Sequence, residues 1–137
     1  MKIRQARKTD VQELANLMNL VISKTSYYTK EARKEEARKH SAAALKEYLR
    51  NKNYFVCLVA TDDKKRIVGF VIGRNEAGVF WADWAGVHRN NRRQDVANSL
   101  MREWEEILRE KGVHKIWCDT RTNNKESISL LIKLKYR

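Results

Sequence analysis

Proline is absent from this 137-residue chain, and its five glycines are scattered. No tract therefore reads as a linker, no segment repeats, and a single domain over residues 1–137 is expected. Cysteine is almost as scarce. Cys57 and Cys118 stand alone inside apolar runs, without a Cys-x-x-Cys or a Cys/His cluster, which excludes a disulfide scaffold and a structural zinc site; no metal is expected. Long hydrophobic runs are missing too: nothing approaches the roughly 20 apolar residues of a membrane span. The start, Met1-Lys-Ile-Arg-Gln-Ala-Arg-Lys, has no apolar segment behind it. A soluble, cytoplasmic protein is the expectation, with no membrane partner. Acidic residues are in deficit, 17 against 29 Lys and Arg, for a formal charge of +12. That charge favours polyanionic company, whether nucleic acid, a phosphate-bearing cofactor or an acidic protein, and says nothing of fold. What is plentiful is apolar and aromatic surface: 42% hydrophobic residues, with four Trp, five Tyr and three Phe, exclude a disordered chain.

Ile3 to Ala6 reads as a strand. Thr9 and Asp10 then offer capping oxygens to a helix with Val11, Leu14, Leu17, Met18, Val21 and Ile22 on one face. After a break at Ser23 to Thr29, which contains Tyr27 and Tyr28, Thr29 can cap a second helix running from Lys30 to about Arg50, its first half solvated. Tyr54 to Thr61 and Arg66 to Arg74 read as a hairpin around Asp62-Asp63-Lys64-Lys65. Asn75 to Gly78 signals a further turn, followed by a strand from Val79 to Val87. Alternation assigns Val79, Trp81, Asp83, Ala85 and Val87 to one face of that strand, and Phe80, Ala82, Trp84 and Gly86 to the other. A polar loop, His88 to Arg93, leads into a helix to about Lys111 with Val96, Leu100, Trp104, Ile107 and Leu108 in helical register and Gly112 at its C-cap. Lys115 to Asp119 reads as a short strand, and Asn123 or Asn124 as the cap of a last helix bearing Ile128, Leu131, Ile132 and Leu134. The order is β-α-α-β-β-β-α-β-α, an α/β chain with a mixed sheet.

The most informative segment is the passage from the strand ending at Val87 into the next helix. A strand feeding a helix through a loop brings unpaired backbone N–H groups and a positive helix end together, and here arginines surround them. A phosphate group suits such a corner; a solvated Arg-rich surface is the plainer alternative.

With its neighbours the segment becomes specific. Arg92-Arg-Gln-Asp95-Val-Ala97 with the later Leu100, the preceding Gly86-Val87-His88, and the downstream Asn124-Lys-Glu-Ser-Ile-Ser-Leu-Leu131-Ile-Lys-Leu-Lys-Tyr136 resemble, in order and spacing, the motifs of the GNAT superfamily of N-acetyltransferases. The resemblance covers essentially the whole chain. It implies a mixed sheet split open between its fourth and fifth strands, with acetyl-CoA in the gap as co-substrate. Ala85 and Val87 would pair with the pantetheine arm. The loop from Arg92 through Arg93, Gln94, Asp95, Val96 and Ala97 would cradle the pyrophosphate, with Asn98 and Asn124 as further contacts. An amine acceptor, small molecule or protein, would attack the thioester directly, and a carboxylate on the strand, here Asp83, would accept its proton. Tyr27 and Tyr28 fall where relatives line the acceptor site.

Three departures from the motif stand out. Asp95 occupies the position of a glycine that lets backbone approach phosphate; its carboxylate can cap the helix amides, and it opposes the diphosphate unless it points away or pairs with Arg92 or Arg93. Leu131 replaces a tyrosine that protonates the leaving thiolate, with Ser127 and Ser129 as candidate substitutes. The two strands that normally follow are shortened or missing, so the fifth strand is expected to present an open edge that a second copy of the chain, as a homodimer, could cover. These departures keep open a catalytically impaired, CoA-binding or interaction module. A basic nucleic-acid binder ranks lower, because no recognition helix, zinc finger or RNA-binding sheet signature is present.

Overall fold

The computed structural model describes residues 1–26, 28–51, 54–92, 94–119 and 124–136. Tyr27, Arg93 and the alternative cap Asn123 lie outside the described residues. The elements are β1 (Lys2–Gln5), α1 (Val11–Ser23), α2 (Lys30–Lys39), α3 (Ala42–Tyr48), β2 (Phe55–Thr61), β3 (Ile67–Glu76), β4 (Val79–Val87), α4 (Val96–Glu110), β5 (Ile116–Cys118) and α5 (Lys125–Lys133). One mixed sheet runs in the order β1-β2-β3-β4-β5, antiparallel through β4 and parallel between β4 and β5. The α/β class and the element order expected from sequence hold, with one helix more than predicted.

The extra helix comes from a break at His40. Its ring is buried, and Nδ1–H donates to the Glu36 carbonyl at 2.9 Å, the acceptor that the His40 backbone N–H would take in a continuous helix. The displaced backbone N–H turns to Ala37 instead, and Ser41 restarts the chain as α3 by accepting from the Ala44 N–H at 3.2 Å. Thr29 caps α2 as expected, accepting from Ala32 at 3.1 Å. Asp10 does not cap α1. Its carboxylate turns back to the Arg7 N–H and to both guanidinium nitrogens of Arg4, at 2.7 to 2.9 Å, which ties β1 to the start of α1. The Arg4 hydrogen bond holds that carboxyl below its usual range.

Two apolar clusters sandwich the sheet. Leu14, Met18 and Ile22 of α1 and Leu45 of α3 pack on Val59, Phe70 and Ile72; on the opposite side Val96, Leu100, Trp104 and Leu108 of α4 pack on Leu58, Val71 and Phe80, joined by Leu130 and Leu134 of α5. Of the apolar residues expected to seat α5, Ile132 is instead 69% exposed, and Leu130 takes its place against the core. Gly112 ends α4 at φ +81, a left-handed conformation that glycine adopts without strain.

The simple alternation expected along β4 fails at one residue. Ile72 pairs with Trp84 but Gly73 pairs with Ala82, so Asp83 is an extra residue in β4, a bulge. The bulge swaps the faces beyond it: Phe80, Ala82 and Val87 pack on the α4 side, whereas Trp84 packs toward α1 and Gly86 backs onto Phe70 and Val21. Opposite the bulge, a Cβ on Gly73 would overlap the Trp81 carbonyl oxygen and the Trp104 ring. The bare glycine is what lets the fully buried Trp104 slide under the distorted strand. Gly73→Ala should therefore lower stability by about 2 kcal/mol or more through forced overpacking, seen as a lower denaturation midpoint at unchanged slope.

Candidate active site

Among the described residues β5 is held to β4 by three residue pairs, Phe80 with Ile116, Trp81 with Trp117 and Ala82 with Cys118. An edge-to-face contact of Trp81 on Trp117, 5.0 Å between ring centroids, and the Lys115 ammonium over Trp117 brace this closed end. Past Ala82 the strands part, and β4 runs on to Val87 with β3 on one side and, among the described residues, no strand on the other. The gap is a cleft of about 480 Å³. Asp83, Trp84 and Ala85 form its β4 wall, Cys118 and Asp119 the end of β5, and Asn124, Ser127, Leu130 and Leu131 of α5 the opposite wall; Met101 and Tyr28 complete it.

Backbone alternation decides which groups face the gap. The His88 N–H bonds to the Val68 carbonyl at 2.7 Å. Along a strand the direction of the N–H and C=O groups alternates, so those of Val87 and Ala85 point away from β3, toward the open side. The free edge leads to the N-terminus of α4. There the first intrahelical hydrogen bond runs from Ser99 N–H to Asp95 C=O at 3.0 Å, leaving the amides of Val96, Ala97 and Asn98 without a helical acceptor. The Val96 side chain is buried in the core, so this residue can offer only its backbone; Arg92 and Gln94 are exposed beside the corner. Asn98 is 5% exposed and its Oδ1 has no partner.

Of the courses open to Asp95, capping is not the one taken: the residue makes no side-chain cap to the helix amides. Its backbone is left-handed, φ +61, a conformation that glycine adopts freely, and its carboxylate swings to Asn98 Nδ2 at 3.1 Å and to Lys133 Nζ of α5 at 3.5 Å. The Asn98 hydrogen bond, and then Lys133, hold that carboxyl below its usual range. Lys133 was not legible as a site residue: it is one lysine among many, brought to α4 only by the packing of Leu130 and Leu134.

Asp83 sits at the bulge, and its carboxylate is 27% exposed and hydrogen-bonded to Arg74 of β3. Burial pushes this carboxyl above its ordinary value, and the Arg74 guanidinium works against that push. Arg74 also reaches Glu76 at 3.1 Å. Trp84, the next cleft residue, donates its indole N–H to Glu36 of α2 at 2.9 Å and meets the Tyr28 ring edge-on at 5.6 Å. Asn124 caps α5 through the Ser127 N–H, and its Nδ2 donates to Ser127 Oγ at 2.8 Å. Ser127 lines the cleft, whereas Ser129 is exposed and does not line it. Arg74, Glu36 and Lys133 carry no sequence signal, since each acts through a neighbour on another element.

The features fit an acyl-CoA. An unpaired strand edge suits the amides of a pantetheine arm, and three free helix amides suit a diphosphate. Residues 17–136 match the acetyltransferase (GNAT) family, and the chain belongs to it, a class of N-acetyl-transferring enzymes. No curated protein matches the sequence significantly. Among solved structures, the PaiA N-acetyltransferase of Thermoplasma acidophilum in complex with coenzyme A superposes with a TM-score of 0.85 at 18% identity, covering 97% of this chain and 87% of that one. The aminoglycoside N-acetyltransferase AAC(6')-Iy, solved with a CoA bisubstrate analogue, gives 0.74 at 18% identity, covering 99% and 90%. A ribosomal-protein-alanine N-acetyltransferase from Brucella melitensis gives 0.71 at 17%, covering 98% and 91%.

Both thiols are held high in the protein: Cys57 is pushed up to about 12 by burial, and Cys118 to about 11, chiefly by desolvation with Asp119 and Glu105 adding to it. Although Cys118 lines the cleft, iodoacetamide at neutral pH should alkylate it roughly a hundredfold more slowly than a free thiol and leave Cys57 untouched, as read by mass spectrometry of the folded protein.

Proposed function

We propose that the protein transfers an acetyl group from acetyl-CoA to an amine of a small molecule or protein by direct attack. The observation that carries the proposal is the free β4 edge at Ala85 and Val87, opening into the cleft and leading to the unpaired amides of α4. When bound, acetyl-CoA supplies an acyl group already activated as a thioester. Ala85 and Val87 bind by extending the sheet; the amides of Val96, Ala97 and Asn98, with the charges of Arg92, Arg93 and Lys133, hold the phosphate end; Gln94 and Asn124 border it. Asp83 accepts the proton that the acceptor amine must shed. Ser127 offers its hydroxyl hydrogen to the leaving sulfur, a service that Leu131 cannot perform. Tyr28 and Trp84, the latter held by Glu36, form the wall on the acceptor side, and an acceptor-binding role is proposed for Tyr27 from the sequence resemblance alone. The proposed setting is the cytoplasm, consistent with the lack of any membrane-crossing helix among the described residues. A second copy is the proposed cover for the outer edge of β5, where Trp117 is 46% exposed.

A second reading, a CoA-binding protein without turnover, is favoured by the Asp95 carboxylate at the phosphate corner and by Leu131 in the cleft wall. Calorimetric titration with acetyl-CoA, followed by acetylation of a panel of amines under mass spectrometry, separates the two. Binding with transfer supports the enzyme, binding without transfer supports the second reading, and no binding removes both.

Asp83 must be ionised to accept a proton, and its pKa is raised, so kcat/KM should fall with decreasing pH at a value above the ordinary carboxylate range. Asp83→Asn should cost about a hundredfold in kcat with little change in acetyl-CoA affinity. Arg74→Met removes the cation that favours the ionised form and should move the acid limb of the profile to higher pH.

A further inference from the structure

We infer that Lys133 of α5 is a phosphate-binding residue of the cleft, kept at the N-terminus of α4 by Asp95 and released to the diphosphate when acetyl-CoA binds. The inference rests on the acyl-CoA reading above and deepens it with a residue that no motif names.

An aspartate at the N-terminus of a helix ordinarily turns its oxygens onto the free amides, where hydrogen bonding and the helix dipole both favour it. Asp95 leaves those amides alone and lies instead against Lys133 Nζ at 3.5 Å and Asn98 Nδ2 at 3.1 Å. The corner therefore keeps its anion-binding amides open while an acid beside them holds a cation in reserve. Arg102, one helical stretch further along α4, is close enough to act on the same carboxylate. Beside those amides Asn98, 95% buried, holds an Oδ1 that has no hydrogen-bond partner among the described residues.

The ion pair is easily opened. Its side chains are 61% and 59% exposed, so water screens their attraction and can replace each partner. A diphosphate carries more negative charge than one carboxylate and offers several oxygens, so it outcompetes Asp95 for the ammonium. Asp95 then has two opposed effects. It repels the incoming phosphates, and it positions on α5 the cation that will bind them, so that one exchange of partners couples α5 to α4 across the mouth of the cleft.

A cycle of four proteins tests this: the wild type, Lys133→Met, Asp95→Gly and the double variant, each titrated calorimetrically with acetyl-CoA and with pantetheine, which lacks the phosphates. Lys133→Met should weaken acetyl-CoA binding by a few-fold in the wild type and by about tenfold in the Asp95→Gly background, where the ammonium has no competing partner. It should also flatten the salt dependence and leave pantetheine binding unchanged. If Lys133 merely neutralises Asp95, its removal will have no effect once Asp95 is gone, and the inference is overturned. An equal loss for pantetheine overturns it as well, because the effect would then not arise at the phosphates. If none of the four proteins binds acetyl-CoA, the acyl-CoA reading itself fails; binding by all four with a silent Lys133→Met in the glycine background overturns the inference and leaves the acyl-CoA reading standing. Thermal melts of each variant confirm that folding is retained.

Discussion

Everything that makes this molecule more than a helix-covered sheet follows from the parting of β4 and β5 after a single turn's length of pairing. Parallel strands with three paired residues are weakly held, and here the pairing ends where Asp83 inserts an extra residue into β4. A bulge sharpens local twist and bends its strand. Beyond it β4 keeps its antiparallel neighbour and loses its parallel one, and a row of backbone groups that would otherwise be satisfied within the sheet faces a cavity. Unpaired strand edges are normally a hazard that proteins cover or charge. This one is sheltered from other chains by α5 and by the walls of the cleft, and it can be satisfied by a ligand that resembles a strand.

The same distortion places the polar chemistry. Because the bulge brings Asp83 to the rim between the cleft and the α1–α3 side, its carboxylate meets Arg74 rather than the apolar interior, and Trp84 is turned to face Glu36. Desolvation and a neighbouring cation then pull the Asp83 pKa in opposite directions, leaving a carboxyl that ionises readily yet is a better proton acceptor than a fully solvated one. On the far side Gly73 gives up its side chain so that Trp104 can fill the space beneath the bent strand. Core packing and site geometry are thus two consequences of one irregularity, and neither could be altered alone.

At the other end of the cleft the constraint is electrostatic. Three helix amides and a set of basic side chains favour an anion, and a chain of net charge +12 draws one from a distance. Asp95 tempers that attraction from a position whose backbone is left-handed. Aspartate tolerates this conformation better than most side chains, which explains how it can stand where glycine is usual without distorting the helix start.

Periodicity alone was enough to place nearly every element, because apolar spacing along α1 and α4 and the bounded runs of β2 to β4 are local patterns that tertiary packing reinforced. The family resemblance likewise rested on residues close together in the chain, from Gly86 to Leu100 and from Asn124 onward, and it located the cleft correctly between the fourth and fifth strands. What local pattern could not reveal was the behaviour of residues whose partners come from elsewhere: the split of α2 from α3, where His40 is drawn inward and takes its own helix's carbonyl; the exchange of faces at Asp83, which depends on register with β3; and the turning of Asp95 toward Lys133. A sequence determines which groups are hydrophobic, which can cap and which are charged, since these are properties of single residues and short spacings. Which carboxylate meets which cation, and which strand edge is left open, are decided only when the layers close, because hydrogen bonds and ion pairs act over a few ångströms and the chain brings distant residues that near only by folding.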